Sequence, residues 1–345
     1  MVKLKKDSMK GKNQIQTLAK LLFINIAFLF CLIFTVSSQD IAAKYDKEIS
    51  IKIDKGTLYG SLLVPKSRKK VPVVLLIPGS GPTDRNCNNY MGLSTNSFIY
   101  LSEALFKKGI ASLRVDKRIS GKSYGTFKSN IKDLKFNDFI SDTKLWIDTL
   151  KNDNRFSKLI VAGHSQGSLV GLVSSREKNI DKFISISGAG RTIDQILLDQ
   201  FNVSFPEYAD STKMFLDSLK HGVYMKNAPL FLKQSFAPYL LPFMKEWISY
   251  DPSSIIGELK CPVLIVNGDN DIQVPVTEAM LLQSINKKSK LLIVPEMNHI
   301  LKNAPRDRVK NMQTYYLTDI PLNKEFVKKT IKFIKKNSLV QIKKP

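Results

Sequence analysis

The sequence predicts an α/β fold in which a mostly parallel central sheet is flanked by helices, with a helical cap inserted late in the chain. Three observations carry this expectation. Short, largely apolar runs recur along the chain, segments of helical periodicity separate them, and one stretch, 191–259, breaks the alternation. A run apolar on both faces marks a strand buried on both sides, as parallel sheets under helices require. Strands alternating with helices of about 10–15 residues are the pattern of such folds.

Residues 48–53 and 58–64 alternate apolar and polar side chains and read as antiparallel strands opening the sheet. The run VPVVLLI at 71–77 is apolar throughout and ends at Pro78-Gly79, so it reads as a buried strand. Comparable runs follow at 110–115, 158–162, 183–187, 262–266 and 291–294. Between and after them, 97–108, 137–151, 166–176, 276–285 and 324–337 have helical periodicity. The stretch 191–259 has no buried-strand run but several amphipathic helical patterns, rich in aromatics such as Phe201, Phe231 and Trp247 and divided by Pro206, Pro229, Pro238, Pro242 and Pro252. It is expected to be a cap over one end of the sheet, against the plainer alternative of extra core helices.

Ahead of the fold, residues 1–20 are polar and basic. Residues 21–36 contain only Asn25 and Thr35 as polar side chains, and small Ser37 and Ser38 precede Gln39. That order is a secretory signal, cleaved after Ser38 or Gln39. Sixteen residues are fewer than the ~20 that a membrane span needs. The expectation is therefore an exported protein, periplasmic or secreted, held to a membrane by residues 21–36 only if the segment stays uncleaved. The organisation expected is 1–39 leader, 40–190 first part of the core, 191–259 cap, and 260–345 second part of the core with a basic C-terminal helix. Cys31 follows bulky Phe30, which argues against lipid attachment; Cys87 and Cys261 are expected to be free thiols.

The chain of 345 residues carries a net charge of +23. The excess is mostly Lys and is spread along the sequence, with no zinc-finger, helix-turn-helix or RNA-recognition pattern, so a solvated surface is favoured over nucleic-acid binding. No metal-ligand cluster and no nucleotide-binding glycine fingerprint occurs, and neither metal nor cofactor is expected. The sequence leaves the oligomeric state open.

Chemistry concentrates in Gly163-His164-Ser165-Gln166-Gly167, a G-x-S-x-G between a buried strand and a helix. Gly163 and Gly167 permit a strand-to-helix turn too tight for a Cβ on either side, and the turn lifts the Ser165 hydroxyl out at the sheet edge. A serine hydroxyl needs a base. His164 adjoins the serine and is expected to pack elsewhere, His221 reads as solvated, and His299, in the loop after the last strand, remains as the base. The acid that orients it is sought after the strand 262–266, where Asp271 is favoured over Asp269, the better turn residue. Ser, Asp, His is the chain order this topology expects. The loop Pro78-Gly79-Ser80-Gly81 follows a central strand; Gly79 and Gly81 let backbone approach a substrate, and the N–H groups of Ser80 and Gln166 are the expected oxyanion donors.

Together these residues resemble the α/β-hydrolase superfamily over about residues 48–340. Within it, PGSGPTDRNCN (78–88), Arg114-Val115-Asp116-Lys117-Arg118 with Gly121-Lys122-Ser123, Tyr250-Asp251-Pro252 and GDNDIQVP resemble a group of bacterial carboxylesterases related to serine aminopeptidase-like and dienelactone-hydrolase-like proteins. The resemblance implies Ser165 as nucleophile, Asp271 as acid, His299 as base, Ser80 and Gln166 as oxyanion donors, and Asp84, Arg85, Asp116 and Arg118 as ion pairs bracing the active-site loops. Two departures alter the substrate entrance: Asn86-Cys87 stands for the usual Asp-Gly, and Ile119 for the Gly expected after Arg118. The activity expected is cofactor-free hydrolysis of a small-molecule carboxylic ester through an acyl-enzyme. An aminopeptidase using the same triad is the first alternative, with Asp194, Asp199, Glu207, Asp210, Asp217 and Glu246 available to hold an amine; a membrane-attached binding protein without turnover is the second.

Overall fold

The computed structural model describes residues 39–127 and 132–336. Residues 1–38 of the expected leader, with Cys31 and the apolar run, and residues 337–345 of the basic tail lie outside the described residues. Among the described residues no helix is long and apolar enough to cross a membrane. The chain divides into residues 1–44, whose described part opens helix Gln39–Tyr45, and residues 45–345, which hold the sheet and everything packed on it.

The sheet has eight strands: β1 (Asp46–Ile53), β2 (Gly56–Leu63), β3 (Val71–Ile77), β4 (Ala111–Val115), β5 (Phe156–His164), β6 (Lys182–Ile186), β7 (Val263–Gly268) and β8 (Lys290–Val294). Their spatial order is β1-β2-β4-β3-β5-β6-β7-β8. β2 runs against β1 and β4, while β3 to β8 run parallel. The mostly parallel sheet is thus as the apolar runs predict.

Alternate residues of one strand face opposite layers, because successive side chains in a strand point to opposite faces. Val73, Leu75 and Ile77 of β3 lie in one apolar layer with Trp146 and Ile147 of helix Phe136–Lys151 and Val170 of helix Gln166–Glu177. Val74 and Leu76 lie in the other, with Phe98 and Leu101 of helix Ser97–Phe106 and Phe326 and Phe333 of helix Lys324–Lys335. Each fully buried side chain of this size contributes about 1.5–3 kcal/mol relative to exposure, so both faces must be covered for the strands to persist.

Between β6 and β7 run helices Ile193–Ser204, Ala209–Lys220, Leu230–Ser235, Leu241–Ile248 and Pro252–Gly257, with no strand. Phe136 stacks on Trp247 at 5.5 Å between ring centroids and meets Phe243 edge-on at 5.7 Å, so the insertion shares the core of the first layer. Buried Glu278 anchors its start by accepting the Gly190 and Arg191 N–H groups, each at 2.9 Å.

The chain moves from β3 to β4 on one side and then returns past β3 to β5 on the other. The loops after β3 and β5 therefore part above the C-terminal edge and leave a crevice there, the usual place for a ligand in a sheet of this kind.

Candidate active site

Ser165 stands at that crevice, directly after β5 and before helix Gln166–Glu177. Its backbone, at φ 53° and ψ −122°, lies in a region that side-chain-bearing residues rarely adopt. The neighbouring glycines are sterically forced. A Cβ on Gly163 would lie 2.0 Å from the Gly167 carbonyl oxygen, and one on Gly167 would lie 2.3 Å from that of Ile77. Both distances are far inside contact, so the elbow exists only because two side chains are missing.

The other candidates come from the same edge. His299 follows β8 and Asp271 follows β7. The His299 Nδ1–H donates to Asp271 Oδ2 at 2.8 Å. Asp271 Oδ1 accepts the Gln273 and Val274 N–H groups, each at 2.9 Å. Burial alone would push the Asp271 carboxyl up; the His299 imidazole and these two N–H groups outweigh it and hold the group below the usual carboxylate range. Asp269 has a different occupation: it accepts the Glu296 N–H at 2.7 Å and pairs with Arg306 at 3.0 Å.

His164 does not turn toward the Ser165 hydroxyl. Its Nε2–H donates to the His299 carbonyl at 2.8 Å, which ties the elbow to the loop carrying His299. Burial, with His299 nearby, lowers its pKa to about 3, so it stays neutral through any ordinary assay. His221 is exposed and its Nδ1–H donates to the Asp217 carbonyl at 2.8 Å.

Ser165 lines two cavities. One, of about 100 Å³, includes Gly79, Cys87, Thr95, His299 and Tyr315. The second, of about 90 Å³, includes Gln166, Leu169, Ile196, Leu197 and Trp247, and so uses the helical insertion as a wall. Ser80 and Gln273 border both. A cleft of about 350 Å³ beside the β1–β2 turn, between Asp54, Arg118 and Asp138, holds none of the candidate catalytic groups.

The loop after β3 presses on the elbow: a Cβ on Gly79 would come within 3.3 Å of the Ser165 Cβ. The Gln166 N–H opens its helix and has no preceding turn to donate to. Gly81 has φ 67°, a left-handed turn that suits glycine. Lys117, given no role in the sequence reading, holds this loop. Its buried ammonium donates to the Gly79 carbonyl, to that of Gly81 at 2.7 Å and to Gln166 Oε1 at 3.5 Å. Burial lowers its pKa to about 7. The available signal was its position directly beyond a buried strand, but the partner loop is 36 residues away in the chain.

The charged set divides differently from the expectation. Arg85 and Asp116 do pair, through Nε at 2.9 Å and the Arg85 backbone N–H at 2.8 Å. Arg118 pairs outside the set, with Asp142 at 2.8 Å and Asp138 at 3.0 Å, because helix Phe136–Lys151 lies beside its loop. Among the described residues Asp84 makes no ion pair: its carboxylate caps its own loop, accepting the Asn86 and Asn88 N–H groups at 2.8 and 2.9 Å. Asn86 in turn accepts from Arg114. Cys87 and Cys261 are free thiols; Cys87 is buried, and burial pushes its thiol well up, away from thiolate chemistry.

An eight-stranded, mostly parallel sheet flanked by helices, with a strained serine turn after β5, is the α/β-hydrolase fold, and solved esterase structures share it. A family model described as serine aminopeptidase, S33, matches residues 91–236. Esterase EstD of Thermotoga maritima is 24% identical over 251 residues, which are 71% of this chain and 58% of that protein, so the chain spans little more than half of its relative. Among solved structures, Est1E of Butyrivibrio proteoclasticus with ferulic acid bound is 20% identical, with 83% of this chain and 98% of that one covered and a TM-score of 0.54. An esterase of Pyrococcus furiosus is 17% identical over 87% of this chain and 94% of its own, also with a TM-score of 0.54.

Proposed function

We propose that the protein hydrolyses small carboxylic esters through an acyl-enzyme on Ser165. The observation that carries this reading is one cavity bordered by both Ser165, on its strained turn, and His299, whose ring is oriented by Asp271 at 2.8 Å. The Ser165 oxygen attacks the ester carbonyl carbon as His299 Nε2 takes its proton. The carbonyl oxygen, now negative, accepts from the Ser80 and Gln166 N–H groups, and each such donor is worth about 2.7–4 kcal/mol in the transition state. The tetrahedral species expels the alcohol, which leaves with the proton held on His299. Water then attacks the acyl group, gives a proton to His299, and Ser165 departs with that proton.

His299 must protonate the leaving alcohol, so the alcohol belongs in the cavity His299 borders and the acyl group in the one walled by Leu169, Leu197 and Trp247. An apolar acyl cavity of this size favours short acyl chains.

The aminopeptidase reading needs a carboxylate at the substrate amine. Asp199 is engaged with Arg191 and Glu246 accepts the Asn137 N–H, and among the described residues bordering the two cavities none is acidic. Comparison of p-nitrophenyl acetate with aminoacyl-naphthylamides is therefore expected to favour the ester by roughly a hundredfold or more in kcat/KM, an unmet amine charge costing several kcal/mol. Equal rates would overturn the preference, and the acyl group found on Ser165 by mass spectrometry would name the substrate class directly.

Lys117 is a positioning residue in this scheme, since it fixes the carbonyls on both sides of Ser80. Lys117→Met is expected to lower kcat roughly 10- to 100-fold with little change in KM, and Lys117→Arg to recover part of the loss. Its charged form exists below about pH 7 and is lost above. The titratable groups facing it, His164 and Cys87, are both neutral there, while Arg85–Asp116 and Arg118–Asp142 remain paired. The pH–rate profile of the native chain should thus fall on its alkaline side, and the Met variant should lack that fall. A Met variant with a native profile and native kcat would remove Lys117 from the scheme.

A further inference from the structure

The lysines spread through the sequence are gathered by the fold. Parallel strands all begin at one edge of a sheet, and here the approaches to several of them are cationic. Lys69 and Lys70 precede β3, Lys107 and Lys108 precede β4, and Lys287 and Lys288 precede β8; all six are exposed, and among the described residues none makes an ion pair. At the centre of the same edge, Lys182 donates to the Phe333 and Ile334 carbonyls at 2.6 and 3.0 Å, which brings the cationic end of helix Lys324–Lys335 to it. Its pKa falls to about 8, through burial and through the charges of Lys158, Lys290 and Lys336 around it. The acids at this edge are already engaged: Asp153 with Arg155, Asp148 with Lys178, Glu177 with Lys144 and Arg176, Glu258 with Arg176, and Asp181 with the Leu159 N–H at 2.8 Å. A surface that serves only solubility intersperses the two signs. The charge left unpaired at this edge is of one sign, at a cost in self-repulsion that an anionic partner would relieve.

The point where the chain enters the fold identifies the partner. Tyr45 stacks on Phe106 at 5.4 Å, beside Lys107, and the next residue, Asp46, pairs with Leu63 at the start of the loop bearing Lys69 and Lys70. In the uncleaved chain the sequence ahead of this point carries the apolar run 21–36 and, upstream of it, the basic stretch 1–20. Cationic charge joined to an apolar segment is the two-part recognition of an anionic bilayer. A nucleic-acid groove would instead pair cations with base-reading or stacking side chains.

We propose that this edge docks on an anionic phospholipid surface. Ser165 lies at the opposite end of the same strands, so docking leaves both substrate cavities facing water and admits soluble esters rather than bilayer lipids.

The test is sedimentation of the full chain with vesicles of phosphatidylglycerol and phosphatidylcholine, and with vesicles of phosphatidylcholine alone. Binding is expected to the first, weakened by salt. The fourfold variant Lys69→Glu, Lys70→Glu, Lys287→Glu, Lys288→Glu is expected to lower partitioning about a hundredfold or more. A matched variant on the helical insertion, Lys213→Glu, Lys226→Glu, Lys233→Glu, Lys245→Glu, is expected to lower it several times less. Equal losses in the two variants, an undiminished edge variant, or no binding to anionic vesicles would each overturn the proposal, as would tighter binding of the same edge to duplex DNA. Vesicle binding requires no ester turnover, so its failure leaves the hydrolase reading standing, and an inactive chain that still docks leaves this one standing.

Discussion

Ser165→Ala is expected to lower p-nitrophenyl acetate turnover by roughly 10⁴-fold or more while the protein stays folded. The two halves of this expectation have separate physical grounds. The hydroxyl supplies the atom that forms the new bond, and no other side chain at the elbow can replace it: Gly163 and Gly167 have none, and the His164 ring is turned to the His299 carbonyl. The backbone strain at Ser165, on the order of 1–3 kcal/mol for such a conformation, is unchanged, because alanine bears the same Cβ. Activity above the uncatalysed rate should remain, since the Ser80 and Gln166 N–H groups can still favour a tetrahedral oxyanion formed by water. The thermal midpoint should shift by no more than a few degrees, and labelling by a fluorophosphonate probe should vanish. Undiminished turnover would exclude the serine mechanism.

The parts of this site that were legible in the sequence are those whose cause is local. A glycine on each side of a serine, after an apolar run and before a helical one, already specifies the turn, because the crowding that demands glycine arises within five residues. The central strands were legible for a related reason: burial on both faces leaves nothing polar in VPVVLLI. What is not legible there depends on the order of the strands. Lys117 meets Gly79 and Gly81 only because β4 lies beside β3, and the sequence of neither segment records that adjacency. The basic edge is the same case at larger scale. In sequence each lysine pair reads as an ordinary solvated stretch, and the shared direction of the strands brings the pairs together. Asp84 fails for the opposite reason. The resemblance implies an ion pair, whereas the carboxylate is satisfied two and four residues away by the N–H groups of Asn86 and Asn88.

Asp271→Asn tests the second half of the mechanism, and the hydrogen bonds around the carboxylate fix what the substitution must do. Oδ1 accepts two backbone N–H groups, from Gln273 and Val274. An asparagine there must place its carbonyl oxygen where Oδ1 was, because its NH₂ group against two donors would leave three buried donors unsatisfied. The NH₂ group then faces His299 Nδ1, where the carboxylate oxygen stood at 2.8 Å. A ring nitrogen facing a donor must itself accept, so the His299 proton moves to Nε2, the atom that has to receive the proton of Ser165. The base is present, correctly placed and in the wrong tautomer. A loss of roughly 10⁴-fold in kcat is expected, as for this exchange in other serine triads, with KM nearly constant because no substrate contact changes. The buried negative charge that would stabilise the imidazolium is lost in the same step, so the activity of the variant should recover only at alkaline pH, where the reaction no longer depends on His299 as a base. Retention of near-native kcat at neutral pH would mean that His299 is not oriented by Asp271 during the reaction, and Asp269, two residues earlier but committed to Arg306 and the Glu296 N–H, would have to leave both partners to take its place.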